Sequence, residues 1–343
     1  MVIRVATFNT ALSRSERGAL ATALARADDA QVMAVARVMR SVRADIILLN
    51  EFDYDATGLS VRHFLELYLR REDDLASLDY PYFYVAPVNT GQPSGRDFNK
   101  DGIADDLAGD ALGYGFFPGQ YGMLLLSRFP LDVTKTRTFR RFLWRDMPQA
   151  RLPHNSDGSP WYDPVDLTCL PLSSKSHWDL VVELAGKPVH LLCSHPTPPV
   201  FDGAERRNAC RNHDEIRFWG DYISAQTYMY DDQGVSGGLA KDAAFIVLGD
   251  LNASVSEGDA FVSGIAGLIE HPLVNASCTP SHTLHSADKQ HTATWGVRAD
   301  YVLPSKHFDI VASKVVWPTA GEPLFSAVEA ASDHRLVYLD FEL

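Results

Sequence analysis

Residues 245–252 read FIVLGDLN, an apolar run that ends abruptly in Asp250 and Asn252. The same arrangement occurs near the start of the chain, where Asn9 follows VATF and Glu51 follows IILLN. Short continuous apolar runs of this kind are typical of fully buried strands. Polar residues at the ends of several such strands can meet at one edge of a sheet, where α/β proteins usually bind their ligands. The sequence therefore predicts an α/β protein with a polar site at a sheet edge.

Further polar positions adjoin apolar runs later in the chain. His195 follows HLLCS, Asp300 precedes YVL, and the pair Asp333 and His334 precedes RLVYL. Taken singly, an aspartate at a strand end is usually a turn or cap residue, and a lone histidine is usually structural. Several carboxylates brought together repel one another unless a cation neutralises them. The set therefore predicts a bound metal, and oxygen ligands without thiolates favour Mg²⁺, Mn²⁺ or Ca²⁺ over zinc.

The secondary structure predicted from the apolar patterns alternates strands and helices. Strands are predicted at 2–8, 44–50, 122–127, 178–184, 188–193, 245–248, 301–303 and 335–341, and helices near 28–42, 61–71 and 213–228. Two stretches rich in loop-forming residues, at about 89–120 and 147–176, are flanked by continuing strand patterns. We therefore expect one domain over residues 1–343, with these stretches as insertions.

The composition limits the partners of the chain. Its 343 residues include 46% hydrophobic and 22% charged residues, and the net charge is −13. This composition is that of a soluble globular protein. Avid binding to duplex DNA normally uses a basic surface, so the negative charge weakens that interpretation. No apolar run approaches the ~18 residues of a transmembrane helix, so we expect no integral contact with a membrane.

The polar strand ends, taken in chain order, resemble the endonuclease/exonuclease/phosphatase superfamily, which includes deoxyribonucleases, abasic-site endonucleases, inositol-polyphosphate phosphatases and sphingomyelinases. The matching blocks are ATFNT at 6–10, LLNEFD at 48–53, SHPTPP at 194–199, GDLNA at 249–253, RADYVLPS at 298–305 and SDHRLV at 332–337. This resemblance covers essentially the whole chain. It implies an α/β fold of the α+β type, a four-layer sandwich of two packed mixed β-sheets flanked by helices, with the site at one end.

The resemblance also implies a divalent metal at this site. Glu51 is expected to hold Mg²⁺ or Mn²⁺, with Ca²⁺ as a further option, and Asn9 and Asp333 complete or support the metal site. A metal in this position polarises a phosphoryl oxygen and offsets charge on the leaving group. The implied cofactor is therefore a catalytic divalent cation.

The catalytic roles implied by the resemblance fall to five residues. Asp250 orients or deprotonates the attacking water, and Asn252 donates a hydrogen bond to a phosphoryl oxygen. His334 contacts the phosphate, and Asp300 fixes its tautomer and favours its charged form. His195 matches a family histidine that can protonate the leaving oxygen. The general acid is left open between His195 and His334.

The predicted activity is a metal-dependent phosphoesterase that cleaves phosphomonoesters or phosphodiesters by metal-assisted in-line attack of water. The acidic surface and the insertions favour a small-molecule phosphoester, and we expect a monomer. One alternative is a secreted sugar-non-specific nuclease on DNA or RNA, and another is a phospholipid headgroup hydrolase. A non-catalytic protein that binds a phosphate ligand on the same fold is the alternative from a different class.

A second metal site is predicted in the first insertion, where residues 97–106 read DFNKDGIADD. Alternating oxygen side chains followed by a glycine resemble the first half of a calcium-binding loop. The expected ligands of this structural Ca²⁺ are Asp97, Asn99, Asp101, Ile103 and Asp105. Position twelve is Ala108 rather than the usual glutamate, so Asp105, Asp106 or Asp110 has to substitute. The alternative is a solvated acidic loop.

The cellular location is predicted from the same loop and from the chain start. The first ten residues, MVIRVATFNT, lack a signal-peptide pattern, which fits a cytoplasmic protein or a mature secreted one whose leader was replaced by Met1. A weakly bound calcium suits an extracellular setting, so we expect a secreted or periplasmic protein.

Isolated arginines are candidates for the substrate phosphate, because an acidic protein needs local cations to recruit an anion. The candidates are Arg14, just beyond Asn9, Arg145 in FLWRDMP, and Arg207 in the charged segment after SHPTPP. The alternative is that Arg207 lies at the start of a helix, among charged side chains that are exposed to solvent.

Overall fold

The computed structural model of the protein describes residues 1–282 and 289–342. Its strands are β1 Val2–Asn9, β2 Ile46–Asn50, β3 Tyr82–Tyr84, β4 Met123–Ser127, β5 Arg137–Thr138, β6 His177–Leu184, β7 Lys187–Ser194, β8 Ala244–Asp250, β9 Asp300–Pro304, β10 Asp309–Val315 and β11 Val337–Glu342. The helices are α1 Ala19–Ala25, α2 Ala30–Val42, α3 Leu59–Phe64, α4 Arg207–Ile223, α5 Val262–Ile269 and α6 Phe325–Ala331. A π-helical turn, Leu65–Leu69, continues α3.

The strands form two mixed sheets. The first has the order β10-β11-β1-β2-β4-β3, and the second has the order β5-β6-β7-β8-β9. In each sheet one pair is parallel, β1 with β2 and β7 with β8, and the other pairs are antiparallel. The two parallel pairs direct the ends of four strands towards one side of the molecule.

Alternating side chains along the strands divide the core into three layers. Leu48 and Leu191 lie in the core between the two sheets. Their neighbours point to the opposite faces, because successive side chains of a strand alternate. Leu49 packs with residues of α1, α2, α3 and α6, whereas Leu192 packs with residues of α4 and α5. The helices thus cover both outer faces, and the predicted four-layer sandwich is confirmed.

The predicted elements match the structure where the apolar pattern is continuous. Helix α2 begins at Ala30 because the Asp29 side chain accepts a hydrogen bond from the backbone N–H of Val32 at 3.0 Å. The helix predicted at 213–228 instead spans Arg207–Ile223. Strands β3, β5 and β10 and helices α1, α5 and α6 were not predicted from the sequence. In β10 most side chains are exposed or half-buried, so the strand lacks an apolar run.

Both predicted insertions are anchored in the core on the outer face of the second sheet. Phe98 from the first insertion and Tyr162, Leu170 and Leu172 from the second belong to one buried cluster with Trp144. All four cysteines are free thiols. Among the described residues, none of the helices combines the length and apolar composition needed to span a lipid bilayer.

Candidate active site

Four strand ends carry the polar residues of the site. Asn9 ends β1, Glu51 directly follows β2, and Asp250 ends β8. Strand β9 is antiparallel to β8, so its first residue, Asp300, is paired with Asp250 in the register. The apolar stretch of each strand is buried in the core, and the polar residue at its end therefore lies at the common edge of the two sheets.

Asp250 is the centre of this cluster and is 1% exposed. Its Oδ2 accepts a hydrogen bond from Asn9 Nδ2 at 3.0 Å and lies 3.4 Å from His195 Nε2 and 3.6 Å from His334 Nε2. Its Oδ1 accepts from the backbone N–H of Asn252 at 2.9 Å. Burial disfavours ionisation, but the charge of His334 and these hydrogen bonds lower the pKa of Asp250 below its ordinary value. Asp250 is therefore a carboxylate at neutral pH.

Asn9 links Asp250 to Glu51. Its Nδ2 also donates to Glu51 Oε1 at 3.1 Å, while its Oδ1 accepts from the backbone N–H of Ala11 at 3.1 Å. One neutral amide thus holds two carboxylates close together. Carboxylate and amide oxygens are the ligands preferred by hard divalent cations. Glu51 therefore offers such a cation a carboxylate oxygen, whereas Asn9 can ligate only through Oδ1, the atom that accepts from Ala11.

His334 forms a buried pair with Asp300. Its Nδ1 lies 2.9 Å from Asp300 Oδ2, which also accepts a hydrogen bond from Thr292 Oγ1 at 2.7 Å. Burial opposes the charge on His334, but the negative charges of Asp300 and Asp250 outweigh it and raise the pKa of His334 to about 10. Burial raises the pKa of Asp300. One ligand atom from each of Asp250, Asp300 and His334 falls within 4.8 Å of the other two.

His195 lies on the other side of Asp250 and is 3% exposed. Burial and the nearby charge of Lys175 lower its pKa, so the ring is neutral at neutral pH. Its buried Nδ1 has no hydrogen-bond partner among the described residues. The two histidines that flank Asp250 therefore differ in charge, although both lie within 3.6 Å of the same carboxylate oxygen.

Asn252 and Asp333 lie at the periphery of the cluster. Asn252 is half-buried with a left-handed backbone, φ 52°, and its Nδ2 donates to the carbonyl of Pro196 at 3.2 Å. Asp333 is exposed, and its Oδ1 accepts from Ser332 Oγ at 3.4 Å. Its place in the metal site stays a prediction, since no described hydrogen bond joins it to Asn9 or Glu51.

The three predicted arginines lie in different surroundings. Arg14 is 3.5 Å from Asp29 in an ion pair, and Arg145 is 41% exposed beside Asp146. Arg207 lines a cavity that also contains the active-site residues Glu51 and His195. Of the three, Arg207 is therefore the arginine that the structure brings to a ligand-sized cavity beside the site.

The predicted calcium loop brings three carboxylates together. One oxygen from each of Asp97, Asp101 and Asp110 lies within 4.8 Å of the other two. Asn99 Nδ2 donates to Asp101 Oδ2 at 3.1 Å. Asp110 is fully buried and accepts backbone hydrogen bonds from Phe98 at 2.8 Å and Asn99 at 3.0 Å. The ion itself stays a prediction.

The remaining predicted residues of that loop are more peripheral. Asp105 is exposed, and its Oδ1 accepts from the backbone N–H of Leu107 at 3.0 Å. Ile103 is 66% exposed, and because its side chain is a hydrocarbon only its backbone carbonyl can act as a ligand. Of Asp105, Asp106 and Asp110, between which the sequence left the choice open, Asp110 has a carboxylate oxygen within 4.8 Å of those of Asp97 and Asp101.

Lys175 beside the active site was not identified from the sequence. It is 5% exposed, lies two residues before the start of β6, and lines the same cavity as Glu51 and His195. Burial lowers the pKa of its amine, against the opposing charges of Glu215, Glu51 and Asp250. The only feature of the sequence that marks Lys175 is its position between two serines before a buried strand. This stretch was predicted to be an insertion.

A sandwich whose strand ends bring carboxylates, an asparagine amide and two histidines together has the features of a phosphoester hydrolase. A family model described as the Endonuclease/Exonuclease/phosphatase family matches residues 6–334. Because this match covers nearly the whole chain, the protein belongs to that family. No curated protein sequence matches the chain significantly.

Solved structures show the same fold at low sequence identity. An endonuclease/exonuclease/phosphatase from Beutenbergia cavernae is 17% identical, with a TM-score of 0.54, covering 100% of this chain and 72% of that one. Sphingomyelinase C from Streptomyces griseocarneus is 15% identical, with a TM-score of 0.51 and 100% coverage of both chains. A beta toxin mutant from Staphylococcus aureus with bound magnesium ions is 12% identical, with a TM-score of 0.50 and 99% coverage of both. These similarities concern the fold alone.

Proposed function

We propose that this protein is a metal-dependent phosphoesterase that hydrolyses phosphomonoester or phosphodiester bonds by in-line attack of water. The observation that carries the proposal is the position of the Asp250 carboxylate, which contacts Asn9 and lies within 3.6 Å of His195 and His334. A buried, ionised carboxylate between two imidazoles is suited to proton transfer. The sheet edge brings this group next to the carboxylate of Glu51.

Glu51 and Asn9 would hold a divalent cation, Mg²⁺ or Mn²⁺, and Asp333 is a further candidate ligand. When bound, such a cation polarises a phosphoryl oxygen and offsets charge on the leaving oxygen. The proposal is supported by the carboxylate of Glu51, which Asn9 Nδ2 holds near that of Asp250 through hydrogen bonds of 3.1 and 3.0 Å. The magnesium ions in the beta toxin structure give related support, since that protein shares the fold.

Asp250 would orient the attacking water and accept its proton. Its lowered pKa keeps it ionised at neutral pH, which suits orienting the water through a hydrogen bond, but the same shift makes it a weaker base. Asn252 would stabilise the charge that develops on a phosphoryl oxygen by donating its Nδ2 hydrogen bond. In the free protein that donor is bonded to the carbonyl of Pro196 at 3.2 Å, so the amide already lies next to the site.

His334 is the better candidate for the proton donor, because its raised pKa leaves it protonated at neutral pH. Asp300 accepts from Nδ1, which directs the second proton of the ring, on Nε2, towards Asp250 and the site. His195 has a lowered pKa and is neutral, so it is suited to accepting or donating a hydrogen bond. This difference favours His334 over His195 as general acid.

A small phosphoester is the favoured substrate class. The net charge of −13 disfavours a long polyanion. A cavity of about 640 Å³ beside the site has the size of a small-molecule pocket. A nuclease and a non-catalytic phosphate-binding protein remain the alternatives to be tested.

The test is an activity panel with p-nitrophenyl phosphate, bis(p-nitrophenyl) phosphate and plasmid DNA, each with Mg²⁺, Mn²⁺ or Ca²⁺. We expect hydrolysis of a small ester that is lost on chelation and restored by the metal. Faster cleavage of plasmid than of either small ester would favour the nuclease. If no substrate is hydrolysed with any of the metals, the proposed enzymatic activity is wrong, and a non-catalytic phosphate-binding protein is favoured instead.

A further inference from the structure

The cavity of about 640 Å³ opens beside the proposed active site, and Glu51 and His195 form part of its lining. The rest of the lining comes from the first insertion and the adjoining Tyr121, from the second insertion, from the segment between β7 and α4, and from the first turns of α4. Ligand pockets in proteins typically measure about 300–1,000 Å³. The cavity is therefore large enough for an organic group attached to a phosphate at the site.

The walls of the cavity are largely aromatic and aliphatic. They include Phe98, Tyr114, Tyr162, Leu170 and Phe201. Phe98, Tyr162 and Leu170 are buried and packed in the core, so this part of the wall is fixed. Phe201 is 94% exposed, and its ring is free to cover a bound group. Such walls favour a flat apolar ligand over a highly charged one.

Two buried polar atoms on residues of the cavity lining have no hydrogen-bond partner among the described residues. They are Thr197 Oγ1 and His195 Nδ1. Each of these atoms has less than 1 Å² of exposed surface, so a ligand in the cavity pairs with them only if neighbouring side chains shift. Both atoms belong to the SHPTPP segment, which joins the active site to the cavity.

The cavity is also lined by three basic side chains, Lys175, Arg207 and Arg211. Lys175 Nζ donates to the carbonyl of Pro196 at 3.5 Å, and its charge acts on His195 of the site. Arg207 Nη1 donates to the carbonyl of Phe98 at 3.3 Å. Arg211, by contrast, donates at 2.7–2.9 Å to the backbone carbonyls of Leu172, Leu112 and Pro171, and therefore has a structural role. Lys175 is thus suited to contact an anion in the cavity.

We propose that this cavity binds the organic group of the substrate, a flat apolar group of about nucleoside size, while Lys175 contacts the attached phosphate. The inference rests on the proposed phosphoesterase function and names the substrate class. The apolar walls select the organic group, whereas the strand-end residues bind the phosphate and act on it.

The experiment measures the binding of two non-hydrolysable probes, phenylphosphonate and methylphosphonate, by calorimetry in the presence of Mg²⁺. We expect phenylphosphonate to bind at least tenfold more tightly. Val200→Trp narrows the cavity and Phe201→Ala removes the exposed ring, so each should reduce this preference at least threefold. The matched controls are Val311→Trp and Phe83→Ala, at exposed positions on the other sheet. Both controls should keep the wild-type preference.

Equal affinity for the two probes, or no measurable binding of either, would overturn the inference. So would a preference that survives unchanged in both cavity variants. Tighter binding of phenylphosphonate without turnover of any ester would contradict the proposed phosphoesterase activity but support the proposed binding pocket. The two proposals can therefore fail separately.

The role of Lys175 is tested with the same probes. Lys175→Gln should lower the affinity for both phosphonates at least tenfold. Lys175→Arg retains a cation and should lower the affinity less. The control, Lys187→Gln, changes an exposed lysine. If Lys175→Gln folds and binds both probes as the wild type does, the phosphate contact is wrong. If Lys175→Gln does not fold, a folded Lys175→Arg that has lost all binding would also contradict the phosphate contact, because the cation is still present.

Discussion

Asp250 and Asp300 are paired in the register of β8 and β9, and the imidazole of His334 lies between their carboxylates. The His334 Nδ1 is 2.9 Å from Asp300 and its Nε2 is 3.6 Å from Asp250. One cationic ring thus compensates two buried negative charges. This relationship connects the strand that carries the proposed general base with the strand that orients the proposed acid.

Replacing Asp250 should abolish most of the activity with little change in fold. We expect Asp250→Asn to lower kcat at least 100-fold, because the amide cannot accept the proton of the attacking water. The measurement is steady-state hydrolysis of the best small ester, with the melting temperature as a check on folding. Asp79→Asn, at an exposed ion pair with Arg70, is the control and should retain wild-type activity. If Asp250→Asn has a kcat within tenfold of the wild-type value, Asp250 is not the group that accepts the proton of the attacking water.

Replacing Glu51 should raise the metal requirement. Glu51→Gln removes one charge from the donor set next to Asn9, so we expect the half-saturating Mg²⁺ concentration to rise at least tenfold. The exposed Glu66 gives a matched control, Glu66→Gln, with an unchanged Mg²⁺ requirement. The measurement is activity as a function of Mg²⁺ after chelation. Wild-type Mg²⁺ dependence in Glu51→Gln would place the metal elsewhere.

Asp300 should control the charge of His334. We expect Asp300→Asn to lower the pKa of His334 from about 10, because the largest charge that raises this pKa is lost. The pKa is measured by NMR titration of the imidazole in chelated protein, and kcat is expected to fall at least tenfold. Asp179→Asn changes a second buried aspartate, 2.7 Å from His190, and should leave the pKa of His334 unchanged. An unchanged pKa in Asp300→Asn would show that Asp300 does not set the charge of this ring.

The stability of the metal-free protein should depend on His334 in alkaline solution. The pKa of His334 is raised from 6.5 to about 10, so its stabilising contribution is full below pH 6.5 and is lost as the pH rises towards 10. We therefore expect the difference in unfolding free energy between wild type and His334→Gln to shrink over that range. Urea denaturation in chelator measures it. If the difference in unfolding free energy between wild type and His334→Gln stays constant from pH 6 to 10, a charged His334 does not stabilise the native protein.

Calcium should stabilise the loop around Asp97, Asp101 and Asp110. At a Ca²⁺ concentration of 100 times Kd, binding to the native state contributes about 2.7 kcal/mol. We expect a higher melting temperature in Ca²⁺ than in chelator, and Asp101→Asn should remove most of this increase. Asp157→Asn, in an exposed turn, is the control. Equal melting temperatures with Ca²⁺ and with chelator would identify the segment as a solvated acidic loop.

Local patterns in the sequence were sufficient to place four polar residues at strand ends. The run FIVLG predicts β8, and a polar residue directly after a buried strand has to lie at the sheet edge, which locates Asp250. The same argument locates Asn9, Glu51 and Asp300. It works because the burial of a strand and the position of its end are encoded within a few neighbouring residues.

Only the tertiary structure decided which side chains share an environment and which carry charge. The order of the pKa values of His195 and His334 depends on burial and on carboxylates distant in the chain, so no local pattern contains it. The same holds for Lys175, which reaches the site because its insertion packs against the core. The sequence by itself thus determined the buried strands and the polar residues at their ends, through local hydrophobicity, and its resemblance to the family implied the sandwich fold. The cavity, the buried lysine and the charge of each histidine follow from contacts between distant segments, which only the folded chain creates.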